Sequence, residues 1–167
     1  MSLSPKIAAA VDAADLANVN SPALVSATDG RFRITLALTS AGHAGVAFES
    51  LELLTRDTST STTPLDANAL KAWGERLVQR LSYLMEPLSI LEIDTIGGEA
   101  DLRSARPTTR EGHRYYYEMR LASDGGLRLR RKAYDESQRR GSAVPCQMTR
   151  EMLDRFVDDL VDLAPTN

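Results

Sequence analysis

The chain is poor in the residues that form covalent cross-links and metal sites. Its 167 residues include one cysteine, Cys146, and two histidines. A single cysteine cannot form an internal disulfide and provides no zinc-ligand set, so stabilisation by an internal disulfide or by a cysteine-bound zinc ion is excluded. Scarce cysteine is typical of proteins from a reducing compartment, and we expect a cytoplasmic protein.

Long apolar runs are also missing. No window of about 18 consecutive apolar residues occurs, which excludes a membrane-spanning helix. Near the N-terminus the apolar run at 7–11 ends at Asp12, too early for the apolar region of a signal peptide. We therefore expect no secretory leader and no membrane partner.

The remaining composition is that of an ordinary globular protein. The chain is 43% hydrophobic and 26% charged, with a net charge of −3. Folding of a chain this long buries roughly 68–70% of its unfolded surface, which is enough for a core without disulfides or metals. We predict one domain over residues 1–167.

The two halves of the sequence carry similar patterns at an offset of about 83 residues. Alternating apolar residues, typical of half-buried strands, occur at Phe32, Ile34, Leu36 and Leu38 and again at Tyr115, Tyr117, Met119 and Leu121. A glycine-rich turn and a return strand follow each set, which predicts two β-hairpins. We interpret residues 22–84 and 99–164 as pseudo-repeats of a hairpin–loop–helix unit. The alternative to duplication is that any two hairpin–helix units look alike when only the spacing of their apolar residues is compared.

Both repeats end in a helix with a candidate capping residue. Asp66 in the first and Thr149 in the second stand where a side-chain oxygen can accept from the first helical turn. The apolar faces occupy matching positions, with Leu70, Trp73, Leu77 and Leu81 in the first helix and Leu153, Phe156 and Leu160 in the second. The offset therefore extends through the caps and the helix cores.

The other predicted elements lie outside these units. Ser4 and Pro5 predict the capped start of an alanine-rich helix that runs to about Ala17. Three further strands are predicted at 23–28, 88–94 and 99–105, and the polar stretches at 58–64 and 137–142 are predicted to be loops. The fold class is α+β, an antiparallel sheet with helices packed mainly on one face.

Residues suited to catalysis are few. His43 lies in a glycine-rich turn, and His113 follows Glu111 at the start of a strand. Neither has metal-ligand spacing, and we interpret both as exposed turn residues. Cys146 is interpreted as an apolar filler before the last helix. We predict no catalytic residue, cofactor or metal; an enzyme that uses His113 stays open as an alternative.

Acidic residues line the last helix. Asp154, Asp158 and Asp162 are four residues apart and share one stripe of its surface. We interpret the stripe as a solvated face. The alternative is that it binds a basic surface of a second copy and so forms a dimer.

The basic surface comes from an uneven distribution of charge. Residues 103–140 contain eleven Lys and Arg and five Asp and Glu, although the whole chain carries −3. Strand alternation collects several of these cations, together with two tyrosines, on the outer side of the second hairpin. We call this set the second-hairpin face: Tyr116, Arg120, Arg128, Arg130, Lys132 and Tyr134. It is typical either of a polyanion site or of an exposed sheet whose arginines pair with neighbours such as Glu118.

The order of elements is a helix, three strands, a helix, four strands and a closing helix. This order is similar, over nearly the whole chain, to that of the small acidic chaperones that serve type III secretion. The resemblance implies a dimeric protein-binding module without catalysis. We therefore predict a non-catalytic interaction module whose partner is a protein or a second copy rather than a small molecule. Polyanion or nucleic-acid binding by the second-hairpin face is the alternative.

Overall fold

The computed structural model describes residues 2–17, 20–56 and 63–166. Its elements confirm the predicted α+β class. In chain order they are α1 (Ser4–Asp12), β1 (Ala23–Thr28), β2 (Phe32–Ala41), β3 (Gly45–Thr55), α2 (Ala67–Arg80), β4 (Leu88–Asp94), β5 (Glu99–Ser104), β6 (Thr108–Arg110), β7 (His113–Ala122), β8 (Leu127–Asp135), β9 (Arg140–Val144), β10 (Cys146–Thr149) and α3 (Arg150–Leu163).

The ten strands of the described residues form one antiparallel sheet. Its main path runs β1–β2–β3–β8–β7–β5–β4, while β10 pairs with β3, β6 with β7 and β9 with β8. Because β3 pairs with β8, the two predicted hairpins, β2–β3 and β7–β8, lie side by side at the centre of the sheet. The second hairpin is therefore flanked by strands on both sides.

All three helices pack on one side of this sheet, its inner face. α1 lies against β1 and β2, α2 against β4 and β5, and α3 against β3 and β10. Inward side chains of the central strands are completely buried beneath them, for example Leu36, Leu51 and Leu129. The opposite, outer face carries no helix of the described ranges, so its side chains meet solvent.

The predicted starts and cores of α2 and α3 are confirmed. The Asp66 carboxylate accepts the Ala69 N–H at 2.8 Å, and the Thr149 hydroxyl accepts the Met152 N–H at 3.1 Å. The matching apolar positions are buried in both helices: Leu70, Trp73 and Leu77 in α2 and Leu153, Phe156 and Leu160 in α3. The internal duplication itself stays a prediction.

The prediction for the first helix was wrong at both ends. Ser4 lies inside α1, whose N-cap is Leu3, and it caps nothing with its side chain. The helix ends at Asp12 rather than Ala17, and in the residues that follow the Asp15 carboxylate accepts the Ala17 N–H at 3.0 Å, a local bond that competes with helical pairing.

The polar stretches of the two repeats also differ from the prediction. Residues 137–142 were predicted as a loop, but β9 begins at Arg140 and pairs with the free half of β8. Most of the predicted loop at 58–64 lies outside the described residues.

In the described ranges, no helix has the length and apolar character needed to cross a membrane.

Candidate functional site

The hairpin register gathers the predicted site residues on the outer face. Tyr116 lies opposite Lys132, and Arg120 lies opposite Arg128. Arg120, Arg128 and Arg130 are exposed, whereas the two tyrosines and Lys132 are half-buried. The second-hairpin face is therefore a real surface of the fold, uncovered by any described element.

A cavity of about 300 Å³ lies in this face. Four predicted residues line it, namely Arg120, Arg128, Arg130 and Lys132. The neighbouring strands β4 and β5 add Leu91, Asp101 and Arg103 to its lining, and β7 of the hairpin adds Glu118. Tyr116 and Tyr134 are not part of the lining, so only the four cations of the predicted set contribute to the cavity.

Most cations around the cavity already have partners. Arg103 Nη2 lies 2.8 Å from Glu118 Oε1. Arg120 Nε lies 2.9 Å from Asp101 Oδ1, and this hydrogen bond raises the pKa of the Arg120 guanidinium. Two further pairs join Arg128 to Glu52 at 3.1 Å and Lys132 to Glu118 at 4.0 Å. The positive charge predicted for this face is thus largely neutralised by acids on β3, β5 and β7.

Arg130 is the exception. Among the described residues no carboxylate lies within ion-pair distance of its guanidinium. Its cross-strand neighbours are Ser50 on β3 and Glu118 on β7, and the Glu118 carboxylate is already shared by Arg103 and Lys132. The cavity therefore presents one unpaired, exposed guanidinium among neutralised pairs.

The tyrosines do not form an open stacking platform. The Arg103 guanidinium lies over the Tyr116 ring, 5.2 Å from its centroid, and covers one side of it. Tyr134 pairs with Arg114 toward the far end of the hairpin. The two rings are therefore separated along the hairpin and do not frame the cavity.

The two histidines differ in position: His43 lies on an exposed turn, as predicted, whereas His113 is the first residue of β7 and is half-buried. His43 is exposed in the turn between β2 and β3. The His113 ring contacts the backbone carbonyl of Glu111 at 3.1 Å, not its carboxylate, and Nε2 lies 3.6 Å from Asp135 Oδ2. A hydrogen bond from the Ser137 hydroxyl lowers the pKa of Asp135. His113 lies outside the cavity lining, so the structure does not place it with the other candidate residues.

The acidic stripe of α3 is partly used within the chain. Arg80 on α2 binds Asp162 of the stripe, at 3.2 Å, and also Asp159, which lies beside the stripe, at 3.0 Å. The Tyr83 hydroxyl donates to Asp159 at 2.9 Å. Asp158 accepts from the Ser2 hydroxyl. The Arg80 contacts join α2 to α3, and the bonds to Asp158 and Asp162 reduce the stripe's capacity to bind the basic face of a second copy.

A buried ion pair was missed by the sequence analysis. Arg131 Nη2 lies 2.7 Å from Glu86 Oε1, with the two side chains only 13% and 0% exposed. The Arg131 guanidinium also lies near the rings of Tyr115 and Tyr117, at 5.2 and 5.6 Å. Strand alternation could have predicted that Arg131 is buried, because residue 131 falls on the inward side of β8.

Cys146 is fully buried, as an apolar filler would be, and burial raises the pKa of its thiol to about 12. We expect iodoacetamide to leave the native protein unmodified at about pH 8, since the thiolate is the reactive form. Mass spectrometry should detect alkylation only after unfolding in urea; rapid labelling of the native chain would contradict the placement.

The stability of the protein should also fall at alkaline pH. The thiol of the unfolded chain ionises first, as the pH rises through its ordinary pKa of 9.0, and this ionisation favours the unfolded state.

Metal binding finds no support in the described residues, which hold no cluster of three or more His, Cys, Asp and Glu suited to an ion. The candidate site that we consider further is the cavity around Arg130, because it combines a recess with an unpaired charged group. Comparison of the chain with protein-family models, with curated proteins and with solved structures gives no match.

Proposed function

We propose that the protein is a non-catalytic protein-binding module, and that the second-hairpin face binds an acidic segment of its partner. The observation that carries this proposal is the unpaired guanidinium of Arg130 in a cavity of about 300 Å³. A carboxylate from a partner can accept a charge-assisted hydrogen bond there, which is stronger than a neutral one. Arg130 is the anchor of the site.

The surroundings of Arg130 favour a protein over a polyanion. A polyanion gains affinity by neutralising many phosphates at once. Here four of the five cations that line the cavity are engaged by carboxylates, so they are not free for phosphates. Leu91 and Leu54, 56% and 44% exposed, lie on the same face. Exposed leucines beside paired charges suit a protein interface with an apolar centre and a polar rim.

The test uses a blocked peptide of alternating leucine and glutamate, with the glutamine version as its control. Fluorescence anisotropy should show binding of the glutamate peptide only. Arg130→Gln should weaken this binding roughly tenfold or more, because it removes a charge-assisted hydrogen bond. Arg128→Gln is the matched control on the same strand, since Arg128 is already paired with Glu52, and it should change the affinity less.

Heparin distinguishes the polyanion alternative. If heparin binds at the cavity, where Arg130 is the one unpaired cation among the described lining residues, the slope of log affinity against log salt should be close to about −1, near the value expected for one neutralised charge. Equal loss of peptide binding in the two arginine variants would contradict Arg130 as the anchor. Tight heparin binding with a slope of about −4 or steeper would favour polyanion binding instead.

A further inference from the structure

β1 is an edge strand that lacks the usual protection of sheet edges. It pairs with β2 over all six residues without a register shift and, in the described ranges, with no other strand. Its sequence, Ala-Leu-Val-Ser-Ala-Thr, contains no charge and no proline, and Leu24 is 75% exposed. Edge strands are commonly protected by charges, prolines or bulges because an unprotected edge pairs with other strands.

The opposite edge of the main path differs in its register and its charge. β4 has a register irregularity between Ile90 and Glu92 in its pairing with β5. It also carries the charged residues Glu92 and Asp94. One edge of the sheet is thus protected and the other is open to pairing.

The turn between β1 and β2 fixes which backbone groups of β1 are free. The Asp29 N–H donates to the Phe32 carbonyl at 3.2 Å, so the ladder bonds alternate from this pair. Val25 and Ala27 therefore exchange bonds with β2, and the backbone groups of Leu24, Ser26 and Thr28 point away from the sheet. One of these is already used, since Lys6 Nζ donates to the Thr28 carbonyl at 2.8 Å.

We propose that β1 pairs antiparallel with β1 of a second copy, about a two-fold axis at Val25. In this register Leu24 lies opposite Ser26 of the second copy, and each exchanges two backbone hydrogen bonds with the other. Thr28 lies opposite Pro22, which has no N–H to donate. The Thr28 carbonyl needs no donor there because Lys6 supplies one. Every outward N–H of β1 is matched, and the sheet continues from one copy into the next.

The pairing of Pro22 with Thr28 is self-complementary, and we therefore infer that the strand bound at this edge is β1 of a second copy. Pro22 and Thr28 lie at equal distances from Val25 in the sequence. A partner strand with a proline at the corresponding position places no N–H in competition with Lys6 for the Thr28 carbonyl, and a second copy supplies that proline. The interface is isologous, as in a two-fold dimer. It lies on the far side of β2 and β3 from the cavity, so the inference does not depend on the proposed function.

Sedimentation of the full chain tests the dimer. We expect a monomer–dimer equilibrium for the unmodified protein. Ser26→Pro removes two of the bonds across the axis but no bond to β2, and should raise the dissociation constant roughly tenfold or more. Leu91→Lys on the β4 edge is the control and should leave the equilibrium unchanged. Near-ultraviolet circular dichroism verifies that each variant is folded. A monomer at millimolar concentration, or a dimer that Ser26→Pro does not weaken, would overturn the proposal.

Single cysteines test the register. Residues on the axis face each other as a pair without mutual hydrogen bonds, whose Cα atoms are about 4.5 Å apart, within disulfide range. Val25→Cys should therefore give a disulfide-linked dimer under mild oxidation, whereas Ala27→Cys should give none, because it lies opposite Ala23. Cys146 is buried and does not interfere. Cross-linking by Ala27→Cys but not Val25→Cys would overturn the assigned pairing.

Discussion

Replacement of Glu86 by glutamine should lower the free energy of unfolding by about 3–5 kcal/mol. The Glu86 side chain is completely buried, and it neutralises Arg131, which is only 13% exposed. Removal of one partner leaves the other as a buried, uncompensated charge. Both oxygens of the Glu86 carboxylate accept from the guanidinium, at 2.7 and 3.3 Å, so the amide replaces one of two charge-assisted acceptors with a donor.

Urea unfolding followed by circular dichroism measures this effect. Arg103→Gln is the matched control, since it breaks the pair with Glu118, where the Arg103 side chain is 46% exposed, and should cost less than about 1 kcal/mol. The double variant Glu86→Leu with Arg131→Met should be more stable than Glu86→Gln alone, because it leaves no unpaired charge. A loss below about 1 kcal/mol for Glu86→Gln would show that Arg131 reaches water in the native state.

Replacement of Trp73 by alanine should cost about 3–5 kcal/mol. Trp73 is among the largest fully buried side chains and lies on the buried face of α2. The loss combines the transfer free energy of the indole with the cost of the cavity that remains. No other single truncation on α2 removes so large a buried side chain.

Trp73→Phe separates packing from hydrogen bonding. The indole Nε1–H is buried and has no hydrogen-bond partner among the described residues. The phenyl ring keeps part of the packing and removes this unsatisfied donor, so Trp73→Phe should cost less than half as much as Trp73→Ala. Thermal unfolding and urea titration give the comparison. Equal losses in the two variants would mean that the indole N–H makes a stabilising bond.

Features that depend on neighbouring residues were predictable from the sequence. The caps at Asp66 and Thr149 and the apolar faces of α2 and α3 are set by spacings of three and four residues. Strand alternation placed the second-hairpin face correctly because side chains of a strand alternate in direction whatever the rest of the fold does. The early end of α1 was missed because apolar periodicity does not register local side-chain bonds such as the one from the Ala17 N–H to Asp15.

The electrostatics of the site depended on distant residues and were not predictable. Glu52 and Asp101 reach the cavity only because β3 pairs with β8 and β5 pairs with β7. A count of charges between residues 103 and 140 excludes both acids and so overstates the basic character of the face. The same count includes Arg131, although its direction on β8 turns it toward Glu86 and away from the cavity.

The crossed packing of the helices has a consequence for synthesis on the ribosome. α3 follows every strand in chain order, yet it covers β3 from the first half of the sequence, while α2 covers β4 and β5, which follow it. Apolar side chains of β3 such as Phe48 and Leu51 therefore become covered only after residues 150–163 have emerged from the ribosome. Until then the nascent chain exposes an apolar sheet, the kind of surface that chaperones bind and that aggregates. The first half thus cannot complete its core before the second half has been translated.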